Sequence, residues 1–297
     1  MTPYYQDFAR QITGTDKLPF MRIFLLSLTF LISTLVNGEP HPLRVVSEIL
    51  PPFQTINDGG EFQGKAVDMV NAILDKAGYN EATIAVMPWA RAYKKAQKET
   101  NVAIFSLAYS EERAALFHWV GALYALERSS LIGLKRRDDL NVPTLEEAKK
   151  FRVCSELDTH SYQYLKSLGY EPNKNLLSVR SVLSTYRTDN GGIARPALNL
   201  TLLNAKKCDY VTGLWSIYAY SENADQSLKP FFYLGQPSKP LVLHLAMSLN
   251  SDQAVIDNLK TAYKTLRENG ELHRICIGND SAKLYERSCK ATLPTSK

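Results

Sequence analysis

The sequence is poor in the residues that make chemistry obvious. It holds 4 cysteines, 5 histidines and 3 tryptophans in 297 residues. His118, His160, His244 and His273 show no mutual spacing of metal-ligand type, and no His/Cys grouping has one, so no metal centre is expected. Charge of one sign is also thin. The formal net charge is +5, and no block of like charges exceeds Lys135-Arg136-Arg137, so nothing resembles a nucleic-acid footprint. Internal repeats and low-complexity segments are missing, as are a phosphate loop and a Ser-His-Asp order, and no cofactor is expected. What remains is an ordinary globular composition, 45% apolar and 22% charged, long enough for one large or two medium domains.

Long apolar runs are missing with one exception. Met21-Arg22 precedes the run Ile23 to Val36, then Asn37-Gly38-Glu39-Pro40. At about 14 residues this run is too short to span a bilayer comfortably. A basic start, a short apolar core with no polar face, and small Gly38 with Val36 two before it read as an export signal. Residues 1–38 are therefore expected to be a signal peptide with an upstream extension, Met21 being the start, and the location periplasmic. No cysteine follows the apolar core, so a lipid anchor is not indicated. Removal would strip Arg10, Lys17 and Arg22 against Asp7 and Asp16, leaving about +4. All four cysteines stay in the exported part, where disulfides are permitted. Cys276 and Cys289 are the disulfide candidate, with Gly278-Asn279-Asp280-Ser281 to turn the chain between them, whereas Cys154 reads as a small buried hydrophobe.

Along the rest, Leu43 to Ser47 reads as a strand ended by Pro51-Pro52, and Asn57-Asp58-Gly59-Gly60 as a hairpin turn. Val67, Val70, Leu74 and Ala77 recur at helical spacing before Gly78. Ala82 to Met87 is strand-like, Pro88 opens a helix from Trp89 to Gln97, and Val102 to Leu107 is a buried strand. This β-α-β-α-β rhythm predicts parallel strands with crossover helices. Further strands are expected at Ser129–Leu134, Phe151–Ser155, Cys208–Thr212 and Leu241–Ser248. Helices are expected over Leu140–Lys150, Tyr162–Leu168, part of Ser181–Lys207 around Gly191-Gly192, and Ser251–Asn269.

Two α/β blocks, roughly 39–126 and 130–236, each offer a strand running into a helix N-terminus: Ser106 to Arg113, and Asp158 to Ser161. Backbone N–H groups at such a turn, together with a fixed guanidinium, make a carboxylate site. Read alone, Arg113 is as well explained by pairing with Glu111 or Glu112. Trp89 faces a cleft in one reading and is core in the other. Arg91 assists or is solvated, Trp119 packs between strand and hinge, and Trp215 covers a ligand from the second block. Tyr210, Tyr218 and Tyr220 are interfacial or half-buried.

At these residues the chain resembles the bacterial periplasmic solute-binding proteins of the polar amino-acid ABC-transporter type, family 3. Pro51-Pro52-Phe53 with Gly64…Val67-Asp68, Pro88-Trp89-x-Arg91, Ser106 to Arg113, and Leu266-Arg267-Glu268-Asn269-Gly270 carry the likeness in order and spacing. The resemblance implies an α/β, two-lobed fold of type II with a ligand cleft between the lobes. Lobe 1 is then 39–126 plus 240–297 and lobe 2 is 127–239, with hinge strands near Tyr124–Arg128 and Gly235–Leu241. It implies that Arg113 grips a ligand carboxylate bidentately, that Ser106 and the Ala108 backbone donate to the same group, and that Trp89 and Phe53 line the ligand. Thr159 and His160 fall on the donor loop of lobe 2. The chain departs from the amino-acid binders where their ammonium-binding aspartate is expected, because Leu214 and then Trp215 stand there. Ser47 and Leu50 replace a further acid and an aromatic. A buried ammonium needs a carboxylate, and Glu48 and Asp158 are the candidates.

The implied function is capture of a small carboxylate-bearing solute for uptake, without catalysis. The implied partners are a small-molecule ligand and a membrane ABC-transporter permease, with no nucleic acid and a monomeric state. An enzyme on the same fold (dehydratase-like) or a ligand-sensing accessory domain is the alternative.

Overall fold

Two valines in succession decide how the first sheet is layered. In the computed structural model the described residues are 42–57, 59–179, 195–215, 227–235, 240–278 and 283–294. The expected signal segment, Asp58, Gly191-Gly192, Tyr218 and Tyr220 lie outside them. Strand β1 (Arg44–Ser47) turns Val45 to one face of its sheet and Val46 to the other. The chain then makes the small hairpin β2 (Thr55–Ile56) and β3 (Phe62–Gln63), helix α1 (Lys65–Ala77), β4 (Ile84–Val86), α2 (Trp89–Lys98), β5 (Val102–Ala108), the short α3 (Glu111–Ala114) and β6 (Phe117–Leu126). Next come β7 (Ser129–Leu134), β8 (Val153–Glu156), α4 (His160–Ser167), β9 (Leu176–Val179), α5 (Arg195–Asn204), β10 (Tyr210–Leu214) and β11 (Leu228–Tyr233). The run closes with β12 (Leu241–Ser248), α6 (Gln253–Glu268), α7 (Glu271–Ile277) and α8 (Lys283–Ser288).

The strands form two five-stranded sheets, in the orders β4-β1-β5-β12-β6 and β11-β7-β10-β8-β9. β1 lies parallel to β4 and β5, as the β-α-β-α-β rhythm predicts. β12 enters beside β5 antiparallel and carries β6 on its far side, so the last strand of the chain completes the first sheet. The chain passes between the sheets at 127–128 and again between Tyr233 and Leu241. At that crossing Leu234 donates its N–H to Ser129 O at 2.7 Å, and Arg128 reaches Gly235 O at 3.3 Å. This is the two-lobed α/β arrangement, with a cleft between the sheets.

Both faces of the first sheet are covered. Val45, Ala103, Phe105, Leu243, Leu245 and Met247 pack under α1 and α6, while Val46, Ile104, Leu107 and Ala246 pack under α2 with Ala92, Tyr93 and Ala96. The alternation along β5 slips after Phe105, since Leu107 joins Ile104 on the α2 face. The register of β12 shifts between His244 and Ala246, and Ser106 sits at φ 60°. A bulge of this kind re-aims the side chain it displaces.

Several sequence expectations are corrected. Cys154 is not a free hydrophobe: it is bonded to Cys208, the two Cα atoms 5.7 Å apart, because β8 and β10 are parallel neighbours with Cys154 opposite Val211. Cys276 and Cys289 form the second disulfide. Leu140–Lys150 is not one helix but two 3₁₀ turns, Asp138–Leu140 and Glu147–Lys150, split by Pro143. The helix expected from Tyr162 starts at His160, and the strand expected from Cys208 starts at Tyr210.

One close approach ties α6 to the first sheet. A Cβ on Gly121 would fall 2.1 Å from the Tyr263 ring, and the Tyr263 hydroxyl donates to Ala122 O at 2.8 Å. Gly121→Ala is therefore expected to cost about 1–3 kcal/mol, read as a lowered urea midpoint with an unchanged slope. An unchanged midpoint would show that Tyr263 moves aside freely.

Candidate functional site

The site grows from the segment after the β5 bulge. Ala108 ends the strand, Ser110 precedes α3, and Arg113 follows within one turn. The Arg113 side chain is 1% exposed, which is extreme for a cation. Its Nη1 donates to Ala108 O at 3.0 Å within the first lobe. The Nε and Nη2 atoms reach across to the second lobe, to Gln163 Oε1 at 2.9 Å and Asp158 O at 2.7 Å. Its guanidinium carbon lies 5.0 Å from the Tyr93 ring centroid and 5.9 Å from that of Trp89, a cation–π setting. Among the described residues no carboxylate pairs with it within ion-pair distance. Burial pulls its pKa down, while Tyr93, Asp158 and Glu112 push back.

Trp89 sits in the first turn of α2, positioned by Pro88 before it, and its indole Nε1 donates to the same Asp158 carbonyl at 2.8 Å. Tyr93, one helical turn on, stacks near it and accepts a long contact from Gln163 Nε2 at 3.5 Å. Asp158 itself is held at φ 61°, a left-handed conformation that Asp tolerates, and this turns its carbonyl toward the first lobe. Thr159 caps α4: its Oγ1 accepts from Tyr162 N at 3.3 Å and donates to Glu156 O at 2.7 Å. His160 begins the helix and stacks on Tyr164.

Of the two expected first-lobe donors, Ala108 lies beside Arg113, its carbonyl accepting from Nη1, while Ser106 belongs to a second, buried network. Ser106 Oγ donates to Gln54 Oε1 at 2.6 Å and lies 2.7 Å from the Tyr124 hydroxyl. A hydroxyl has one proton, so Tyr124 is the donor in that pair. Gln54 Nε2 gives its protons to Ser47 Oγ at 2.9 Å and Glu48 O at 2.6 Å, and Ser47 Oγ donates to Phe105 O at 3.0 Å. Burial raises the Tyr124 pKa well above the usual range, keeping it a neutral donor. Phe53 stacks on Tyr124 with ring centroids 4.0 Å apart. Gly64 fixes this corner: it stands at φ 126°, and a Cβ there would meet Phe53 O at 2.5 Å.

The structure thus brings Arg113, Ala108, Trp89 and Asp158 together, with Thr159 and His160 beside them. Ser106, Phe53 and Glu48 gather at the Gln54–Tyr124 network, Glu48 being 6% exposed. Trp215 is half-buried at the end of β10, packed against the main core, and Leu214 before it is buried. Arg91 points to solvent. Trp119 lies on β6, T-shaped against Tyr109 and His244, and donates to Ala114 O at 3.1 Å. Gln163, Tyr93, Gln54 and Tyr124 escaped the sequence reading. Tyr93 and Gln163 carried a signal, four residues from Trp89 and from Thr159 and so on the same helix faces.

Burial and the nearby Arg113 charge lower the His160 pKa to about 4. Its neutral form favours the folded state above the ordinary histidine range near 6.5, and this contribution is lost as pH falls toward 4, where the unfolded chain takes up the proton first. His160→Gln is expected to flatten the fall in unfolding free energy between about pH 6.5 and 4.5. Parallel loss of stability in wild type and variant, followed by urea unfolding, would contradict this environment for His160.

Comparison with curated protein sequences returns no match. Solved structures are similar over most of their length. A histidine kinase sensor domain with similarity to periplasmic binding proteins is 19% identical at a TM-score of 0.58, covering 80% of this chain and 96% of its own. The arginine-, lysine-, histidine-binding protein ArtJ from Geobacillus stearothermophilus is 14% identical at 0.60, covering 83% and 99%. A periplasmic His/Glu/Gln/Arg/opine family-binding protein from Silicibacter pomeroyi, in complex with lysine, is 17% identical at 0.55, covering 81% and 99%. These likenesses establish the fold. A family model matches residues 43–276, and by that match the chain belongs to the bacterial extracellular solute-binding proteins, family 3.

Proposed function

We propose that the protein captures a small carboxylate-bearing solute, an amino acid or a related compound, in the cleft between its lobes. The observation that carries this reading is Arg113, a buried cation whose hydrogen-bond acceptors are neutral oxygens and which lies beside two aromatic rings. Removing a cation from water is costly unless an anion compensates. A solute carboxylate supplies that charge and matches the planar fork of the guanidinium. ArtJ binds arginine, lysine and histidine, and the Silicibacter protein holds lysine, which supports a carboxylate-bearing solute in this fold. Residues 39–126 with 240–297 would form one lobe and 127–239 the other, closing about hinge strands near Tyr124–Arg128 and Gly235–Leu241.

The ammonium end is left to Glu48 or Asp158, because Leu214 closes β10 with an apolar side chain and Ser47 spends its proton on Phe105 O. Phe53, Ser106 and Trp215 would then stand behind the ligand rather than against it. Export through residues 1–38 to the periplasm, a monomeric state and delivery to an ABC permease complete the reading. A sensing role is the second reading, favoured by the likeness to a histidine kinase sensor domain. Both begin with the same capture and neither involves turnover.

A thermal-shift screen of amino acids and organic acids tests the proposal, since binding raises the melting temperature by mass action. For any carboxylate that binds, Arg113→Met is expected to weaken affinity by about thirtyfold, the worth of a charge-assisted pair near 2 kcal/mol. Equal affinity in the variant would remove Arg113 from the site, and conversion of a solute to product would replace the binder reading with an enzyme.

A further inference from the structure

The Nε–H and Nη2–H groups of an arginine point the same way and form the edge that usually receives both oxygens of a carboxylate. In Arg113 that edge is taken by the second lobe: Gln163 Oε1 at 2.9 Å on Nε and Asp158 O at 2.7 Å on Nη2. We propose that Gln163 and the Asp158 carbonyl are a built-in stand-in for the ligand's carboxylate, a latch that holds the lobes together and must yield to the solute. This rests on the carboxylate reading above and adds to it the residue that competes with the solute.

The chemistry favours an exchange rather than a permanent bond. Both resident acceptors are neutral, whereas a carboxylate brings a full compensating charge and two oxygens that fit the same edge of the guanidinium. The Nη1 bond to Ala108 O comes from the first lobe and keeps the guanidinium aimed while the other edge changes partner. Gln163 is the movable member. It is half-buried on a helix face, and its amide has a second partner in the Tyr93 hydroxyl at 3.5 Å. The Asp158 carbonyl also accepts from the Trp89 indole at 2.8 Å and is set by its own left-handed backbone, so it gives up Nη2 only as the second lobe shifts. A solute must therefore out-compete an amide oxygen, so the latch sets a threshold that solutes without an anionic group fail and carboxylates pass.

Small-angle scattering of the purified protein, stripped of bound molecules by unfolding and refolding, reads the latch without any solute. Gln163→Met removes the amide and keeps the helix; Gln163→Glu ties a carboxylate to Arg113. The expected radius of gyration is largest for Gln163→Met, intermediate for wild type and smallest for Gln163→Glu. Three equal radii would overturn the latch, circular dichroism having shown all three folded. L-arginine, L-glutamine and succinate serve as binding probes. Any that binds the wild type should bind Gln163→Met severalfold tighter and Gln163→Glu weakly or not at all. Weaker binding to Gln163→Met would make Gln163 a ligand contact and end the proposal. If no carboxylate binds the wild type, the functional reading fails, while the scattering order still decides the latch.

Discussion

A guanidinium buried between two sheets, with no carboxylate partner among the described residues, is the constraint around which the molecule is arranged. Arg113 reaches that position because β5 ends at Ala108 and a single turn of helix follows. It is kept there by one acceptor from its own lobe and two from the other, so the cation is also the main polar link between the lobes. Tyr93 and Trp89 screen it with their ring faces. Burial of the charge and contact between the lobes are thus one physical problem in this protein.

The second network explains why the first lobe can present such a rigid edge. Ser47, Gln54, Ser106 and Tyr124 satisfy one another in the buried corner under β1 and β5. Holding Ser106 at positive φ costs of order 1 kcal/mol, which the hydrogen bonds at its hydroxyl offset. The resulting bulge shifts the last residues of β5 by one place, bringing Leu107 onto the α2 face and Ala108 opposite it. A family pattern that reads Ser106 as a ligand donor meets here a hydroxyl whose proton belongs to Gln54.

The legible part of the fold was the local part. Helical periodicity at Val67, Val70 and Leu74, Pro88 before Trp89, and the apolar run from Val102 marked elements that spacing and turn residues define without their partners. The β6 strand was not legible, because Phe117 to Leu126 shows no clean alternation and its partner β12 lies over a hundred residues on. Cys154 and Cys208 were missed for the same reason, as only the parallel pairing of β8 and β10 brings them together. In the site, Arg113 was visible as the charge at a strand-to-helix turn. Gln163 was not, since a glutamine inside a helix carries no signal until a second lobe is folded against it.

The proposed capture places a solute's anionic group on Arg113 between the two sheets. A crystal structure of the protein with the small molecule that co-purifies with it, first identified by native mass spectrometry, tests this most directly. A carboxylate is expected within hydrogen-bonding distance of the Arg113 guanidinium, with the Gln163 amide displaced. A molecule seated in the cleft with no anionic group at Arg113 would contradict it.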